Sequence, residues 1–343
     1  MHRIIYLVNI FVAMGLLLSY ICPILSPSTL KVVSIFGLFY PMLTFANLFF
    51  IFYWLFSKQK TYIFLSLITM LLGLGSYPRF IQFNSESETT SSSLNMMSFN
   101  VRGSHLSTDE KEIYNEVSEY FQGKKSIDIY CIQEKKQNNK SVISSIMSDL
   151  EMIEGSFGSG IYSRLPIKNS GIVTVGGNTK EAVWADIQIS EGQIVRIYNF
   201  HLSSNLITKA KDEIIKDPKL GDRKTWSTIE GMLKNYAKYA AMRNKQLDVL
   251  LDHSSKSPYP VIFAGDLNDV PQSHAYHRIA KNRSDSFISN GIGFGSTFGG
   301  RIPLLRIDYI FADPTLEIIG HKVGYIGFSD HYPIEVKFQL NAP

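Results

Sequence analysis

The sequence predicts an α/β protein: two β-sheets packed face to face with helices outside, preceded by an apolar helical region at the N-terminus. Three observations carry this. From Met1 to Arg79 there is no acidic residue, the first being Glu86. From Leu94 onward, short apolar runs alternate with polar segments, as strands do when helices interleave them. Several of those runs end on Asn, Asp, Glu or His, a choice of residues that simple turns do not require.

The first 80 residues read as a membrane anchor of about three helices. Three charge-free stretches occupy them: Ile4–Leu30, Val32–Ser57 and Thr61–Pro78. A spanning helix needs about 20 mostly apolar residues, which the first two stretches exceed and the third barely meets. The first run is longer than a signal-peptide core of about 7–15 residues, and more apolar spans follow it, so it reads as an uncleaved anchor. Arg3, Lys58 and Lys60 fall on one side of a three-span arrangement. The positive-inside bias makes that side cytoplasmic and places the C-terminal domain outside, in the periplasm of a diderm bacterium. Two spans would turn the domain inward. The expected location is therefore the inner (cell) membrane.

Residues 81–93 form a linker. Gln82–Ser93 (QFNSESETTSSS) is rich in Ser, Thr and Glu and has no apolar periodicity. Residues 94–343 then form one domain. The strand-like runs are NMMSFNVRG, SIDIYCIQE, GSGIYSRLPI, AVWADIQI, IVRIYNFHL, YPVIFAGDL, RIDYIFAD and YPIEVKFQL. Helices are expected at Ser107–Gln122, Lys140–Glu151 and Thr225–His253.

Composition sets limits. The 343 residues are 45% hydrophobic, ample for a core and too apolar for a disordered chain. Of 34 Lys and Arg, five (Arg3, Lys31, Lys58, Lys60, Arg79) precede Glu86, so the rest of the chain sets 29 basic groups against all 30 acidic ones. A body of that balance is not a strongly basic nucleic-acid binder. Cys22 and Cys131 are isolated and match neither a disulfide framework nor a metal motif.

The polar residues at strand ends are Asn100, Glu134, His201, Asp266, Asn268, Asp330 and His331. Any one of them is ordinarily a turn residue. Gathered on one rim, hard oxygen donors and two imidazoles make a site for a divalent cation and a phosphate ester.

The strings SFN, CIQE, NFHLSS, GDLND, RIDYIFAD and SDHYPI, in this order, resemble the endonuclease/exonuclease/phosphatase superfamily. Its members include pancreatic-type deoxyribonuclease, abasic-site endonucleases, neutral sphingomyelinases and inositol polyphosphate phosphatases. The resemblance spans roughly Asn95 to Leu340, and the apolar front end is similar to that of membrane-anchored members from Bacteroidetes-type bacteria. It implies a four-layer α/β sandwich and Mg2+-dependent phosphoric ester hydrolysis, with Mn2+ as the alternative ion. It also implies a role for each residue. Glu134, Asn100 and Asp330 match the metal pocket. Asp266 matches the group that orients or deprotonates the attacking water, with Asn268 beside it. His331 matches the imidazole on the scissile phosphate, Asp308 its carboxylate partner, and His201 a second rim imidazole.

Softer matches are Arg243 and Gln246 on the long helix and Arg164 in the SRLPI turn, all expected to be structural. Thr297-Phe298 in GFGSTFGG is expected near a ligand, and Lys209–Lys224 is a surface or substrate loop. The expected partners are a phosphate-ester substrate and the bilayer. A tether raises the effective concentration of lipid headgroups, so a lipid phosphoester is favoured over nucleic acid. A catalytically silent domain that binds phosphorylated ligands is the reading from another class.

Overall fold

The computed structural model describes residues 2–85, 93–102, 110–135, 142–176, 180–205, 221–300 and 304–340. The chain forms two compact units: residues 1–80, 203–244 and 269–277 in the first, and residues 81–202, 245–268 and 278–343 in the second.

The first unit opens with α1 (His2–Ile21), α2 (Val33–Leu38), α3 (Tyr40–Leu55) and α4 (Ile63–Leu72). Among the described residues, only α1 is long and apolar enough to cross a membrane. The second apolar stretch is not one helix. Phe39 interrupts it, and Pro41 sits in the first turn of α3, where a missing N–H costs nothing. The packing of these helices is inverted relative to a water-soluble bundle. Asn9, Asn47, Ser66 and Thr69 are buried, whereas Phe11 (72% exposed), Phe49 (64%) and Leu72 (68%) face outward. Asn9 Nδ2 donates to Ser66 Oγ at 2.6 Å and Trp54 Nε1 donates to Asn9 Oδ1 at 2.9 Å, while Asn47 and Thr69 donate to backbone carbonyls of their own helices.

The second unit holds two six-stranded sheets. One runs, in spatial order, β13 (Ile318–Val323), β14 (Ile334–Gln339), β2 (Ser93–Asn100), β3 (Ile129–Gln133), β5 (Gly160–Ser163) and β4 (Glu151–Glu154). The other runs β10 (Ser284–Asp285), β12 (Asp308–Ala312), β9 (Val261–Asp266), β8 (Gln193–His201), β7 (Lys180–Ser190) and β6 (Ile167–Gly176). The pairs β2–β3 and β8–β9 are parallel. Their inner faces meet in one core, with Leu94, Met96, Ile129 and Cys131 from the first sheet against Val183, Ile197, Ile262 and Ile310 from the second. The outer face of the first sheet (Met97, Phe99, Tyr130, Ile132) is covered by Val117 and Phe121 of α5 (Glu110–Gln122) and Ile143 of α6 (Val142–Ile146). At the end of α7 (Arg223–Ser254), His253 Nδ1 meets the Tyr198 hydroxyl of β8 at 2.7 Å. Two further short helices, α8 (His274–Ala280) and α9 (Ser286–Asn290), complete the chain. Helix, sheet, sheet and helix make the α/β sandwich that the sequence predicts.

The helix expected over 140–151 is shorter, because Glu151 already pairs with Ser163 as β4. The linker stretch is not wholly unstructured: Gln82–Phe83 forms β1 and pairs with β11 (Ile292–Gly293). A two-residue strand carries no periodicity by which a sequence could reveal it.

Candidate active site

Strand alternation builds the site. On β2, the side chains of Leu94 and Met96 enter the core, so Ser98 and Asn100 share their face. Cys131 and Gln133 do the same on β3, Ile197, Asn199 and His201 on β8, and Ile262, Ala264 and Asp266 on β9. Register aligns these ends: Asn100 opposes Gln133, His201 opposes Asp266, and Asp308 opposes Asp266. Above the apolar core lies a polar layer. Gln133 Nε2 donates to Asn199 Oδ1 at 2.7 Å and to Ser98 Oγ at 3.2 Å, tying the two sheets together.

Asp266 is the hub above that layer. Its Oδ2 accepts from Asn100 Nδ2 and from Asn268 Nδ2, each at 3.0 Å, and its Oδ1 accepts from the Asn268 amide at 2.7 Å. His201 Nε2 lies 3.7 Å and His331 Nε2 3.9 Å from Oδ2. The strand reaches this point only because residue 265 is glycine: at φ +145°, a Cβ there would stand 2.0 Å from the Phe200 carbonyl oxygen. Burial and then the Asp308 charge push the Asp266 carboxyl up to about 7, against the pull of His331.

The remaining predicted residues converge on the same end. Glu134 sits at φ +54°, a strained conformation held by the bond from the Lys135 amide to Gly158 O at 2.9 Å. Its Oε1 accepts from Asn100 Nδ2 at 3.1 Å and lies 3.4 Å from His201 Nε2. The Asn100 side-chain oxygen accepts from the Arg102 amide, so its nitrogen faces both carboxylates and orients them. His331 Nδ1 lies 2.9 Å from Asp308 Oδ2. Burial disfavours the charged imidazole, but Asp308 and Asp266 outweigh it and raise His331 to about 10. Thr297 Oγ1 accepts from the Ile307 and Asp308 amides at 3.0 Å, and the Phe298 ring stands edge-on to His331. The GSTFGG segment therefore shapes the Asp308–His331 pair.

Asn268 adopts φ +55°, and this turn aims both its amides at Asp266. Asp330 does not join the close clusters. Ligand atoms within 4.8 Å of one another come from Glu134, His201 and Asp266, and from Asp266, Asp308 and His331. Asp330 Oδ2 is instead drawn to Arg102 Nη1 at 2.5 Å.

The donor set fits a hard divalent cation. His201 Nε2 and Asp330 Oδ1 are buried without a hydrogen-bond partner among the described residues. Burial raises the Asp330 carboxyl and lowers the His201 imidazole, the latter helped by Lys180 and His331. Carboxylates crowded this closely call for a positive charge.

Lys180 escaped the sequence reading. Its Nζ lies 3.4 Å from His201 Nδ1, and burial lowers its pKa against the pull of Asp266 and Glu134. Arg243 is structural, as expected: fully buried, it donates to Asp269 and to the Ser203 carbonyl. Residues 206–220, most of the expected substrate loop, lie outside the described residues, as does Ser107.

Comparisons with known proteins agree with this fold. A structure from Bacteroides vulgatus, described as an endonuclease/exonuclease/phosphatase, matches with a TM-score of 0.55 at 16% identity, over 73% of this chain and all of that one. D. rerio TDP2 in complex with a single-strand DNA product matches at 0.53 and 18% identity, over 73% of this chain and all of that one. A mannosyl-6-phosphatase from Bacteroides thetaiotaomicron matches at 0.50 and 16% identity, over 72% and 100%. Likeness at these identities speaks for the fold. No curated protein matches the chain. Residues 2–80 match a family model described only as a domain of unknown function. Residues 97–331 match the endonuclease/exonuclease/phosphatase family model, and with that match covering more than half of its length the chain belongs to this family.

Proposed function

We propose that the protein is a membrane-anchored, divalent-metal-dependent phosphoesterase that hydrolyses its substrate by in-line attack of water. The observation that carries this reading is the Asp266 hub: one buried carboxylate fixed by Asn100 and Asn268 and flanked by His201 and His331. Asp266 orients the attacking water and takes its proton, which a carboxyl near 7 does well at neutral pH. Asn268 keeps the carboxylate turned towards that water. His331, its Nδ1 towards Asp308, presents a cationic ring to the scissile phosphate. Lys180 and His201 add donors on the opposite side. Glu134, Asn100 and Asp330 would hold the metal, Mg2+ or Mn2+, with Asn100 orienting the carboxylates. The bound cation supplies Lewis-acid stabilisation of charge on a phosphoryl oxygen.

The inverted packing of the first unit supports a bilayer location. Polar groups are hidden and phenylalanines exposed, which is the arrangement of helices solvated by lipid. Domain limits of 1–80, 81–93 and 94–343, an inner-membrane anchor and an extracytoplasmic catalytic domain belong to this reading. The favoured substrate is a lipid headgroup ester. The test is a panel of sphingomyelin, phosphatidylinositol, plasmid DNA and RNA, presented to the full chain in nanodiscs. Lipid turnover above nucleic-acid turnover supports the proposal. Plasmid or RNA cleavage without lipid turnover makes the protein a nuclease, and no turnover at all makes it a binding domain.

A further inference from the structure

Residues 269–277 follow the Asp266–Asn268 turn directly in the chain, yet they pack in the first unit with residues 1–80. Asp269, Val270, Gln272 and Ser273 are all buried there. Gln272 uses both ends of its amide on the N-terminal region. Nε2 donates to the Ser19 carbonyl at 3.1 Å, near the end of α1, and to Ser76 Oγ at 3.4 Å, while Oε1 accepts from Arg79 Nη1 at 3.1 Å. The backbone is held as closely: a Cβ on Gly37 would stand 2.9 Å from the Gln272 carbonyl oxygen. At the loop's other end, Asp269 accepts from the Tyr236 hydroxyl at 2.7 Å and from Arg243 Nε at 3.0 Å. An amide this deeply buried is costly to leave unpaired, so the loop's position is tied to the apolar helices.

We infer that residues 2–80 act on the chemistry as well as on location: through Gln272 they hold the Asp269–Ser273 loop, and with it the Asp266–Asn268 turn. Gln272 is a positioning residue, three and a half ångströms or less from groups of the anchor and joined to the proton acceptor by six peptide bonds of chain. Displacing a proton acceptor by a fraction of an ångström slows the chemical step more than it weakens substrate binding. The kinetic arm of the test rests on the phosphoesterase reading; the structural arm does not.

The test compares wild type, Gln272→Ala and Gly37→Ala, each as the full chain in nanodiscs. The Gly37 change pushes on the loop from the anchor side and leaves every polar group in place. Two quantities are read: the kinetics of bis(p-nitrophenyl) phosphate hydrolysis with Mn2+, and hydrogen exchange of the backbone amides. The expected result is a fall in kcat on the order of tenfold for Gln272→Ala and a smaller fall for Gly37→Ala, with KM within about twofold. Exchange should accelerate over residues 266–273 and stay unchanged in β2 and β3. Unchanged kcat and unchanged exchange in both variants overturn the inference. So does acceleration spread equally through β2 and β3 in both, because that is plain destabilisation. Should wild type not hydrolyse the ester, the phosphoesterase reading fails while the exchange arm still decides this one.

Discussion

Asp266 shows how far its surroundings can shift a single side chain. It is 1% exposed, accepts three hydrogen bonds from Asn100 and Asn268, and has a second buried carboxylate, Asp308, opposite it in the sheet. Asp266→Asn keeps the shape and removes the proton acceptor. It should lower kcat by about a thousandfold while leaving Mn2+ affinity, read by calorimetry, nearly unchanged. A loss of about tenfold or less would contradict the assigned role. His321 offers a test away from the site. Burial, opposed by Asp285 and aided by Arg306, pushes its imidazole down to about 4. A folded-state value below the unfolded one means stability that is present above pH about 6.5 and is lost as pH falls through about 4, up to about 3 kcal/mol. His321→Asn should therefore show a smaller loss of stability between pH 7 and 4 in chemical denaturation; equal losses would contradict this. The sequence revealed Asp266 and its neighbours because each ends an apolar run. It hid Lys180, since a lysine opening a strand looks solvent-facing until folding brings His201 beside it.

At the scale of elements, the period-two alternation of β2, β3, β8 and β9 does two jobs at once. It fills the core between the sheets and delivers polar side chains to a common end. This is why the strands and the site were legible together. What escaped was short or polar: β4 and β13 lack a regular apolar pattern and owe their place to neighbours already in register. The cross-sheet layer of Ser98, Gln133 and Asn199 was equally hidden, because an inward amide within a strand announces itself only through its partner. The long helix α7 contributes a buried ion pair, Arg243 with Asp269. Removing one member of such a pair costs about 3–5 kcal/mol, so Arg243→Leu should lower the melting temperature clearly. An unchanged melt would contradict the pairing.

For the whole molecule, the charge asymmetry of the sequence and the inverted packing of the first unit point the same way. The acid-free segment buries Asn9, Asn47, Ser66 and Thr69 and exposes Phe11, Phe49 and Leu72, a distribution that a lipid environment would favour. The full chain should stay in the membrane pellet after an alkaline carbonate wash, and a fluorescent fusion after Ser57 should report the cytoplasm. Release into the supernatant would contradict the anchor. The most direct test of the central claim is metal-dependent hydrolysis of bis(p-nitrophenyl) phosphate by the full chain, set against Glu134→Ala and Asp266→Ala. The account predicts activity that EDTA abolishes, that added Mg2+ or Mn2+ restores, and that both variants lack. Activity that survives chelation and both substitutions would contradict it.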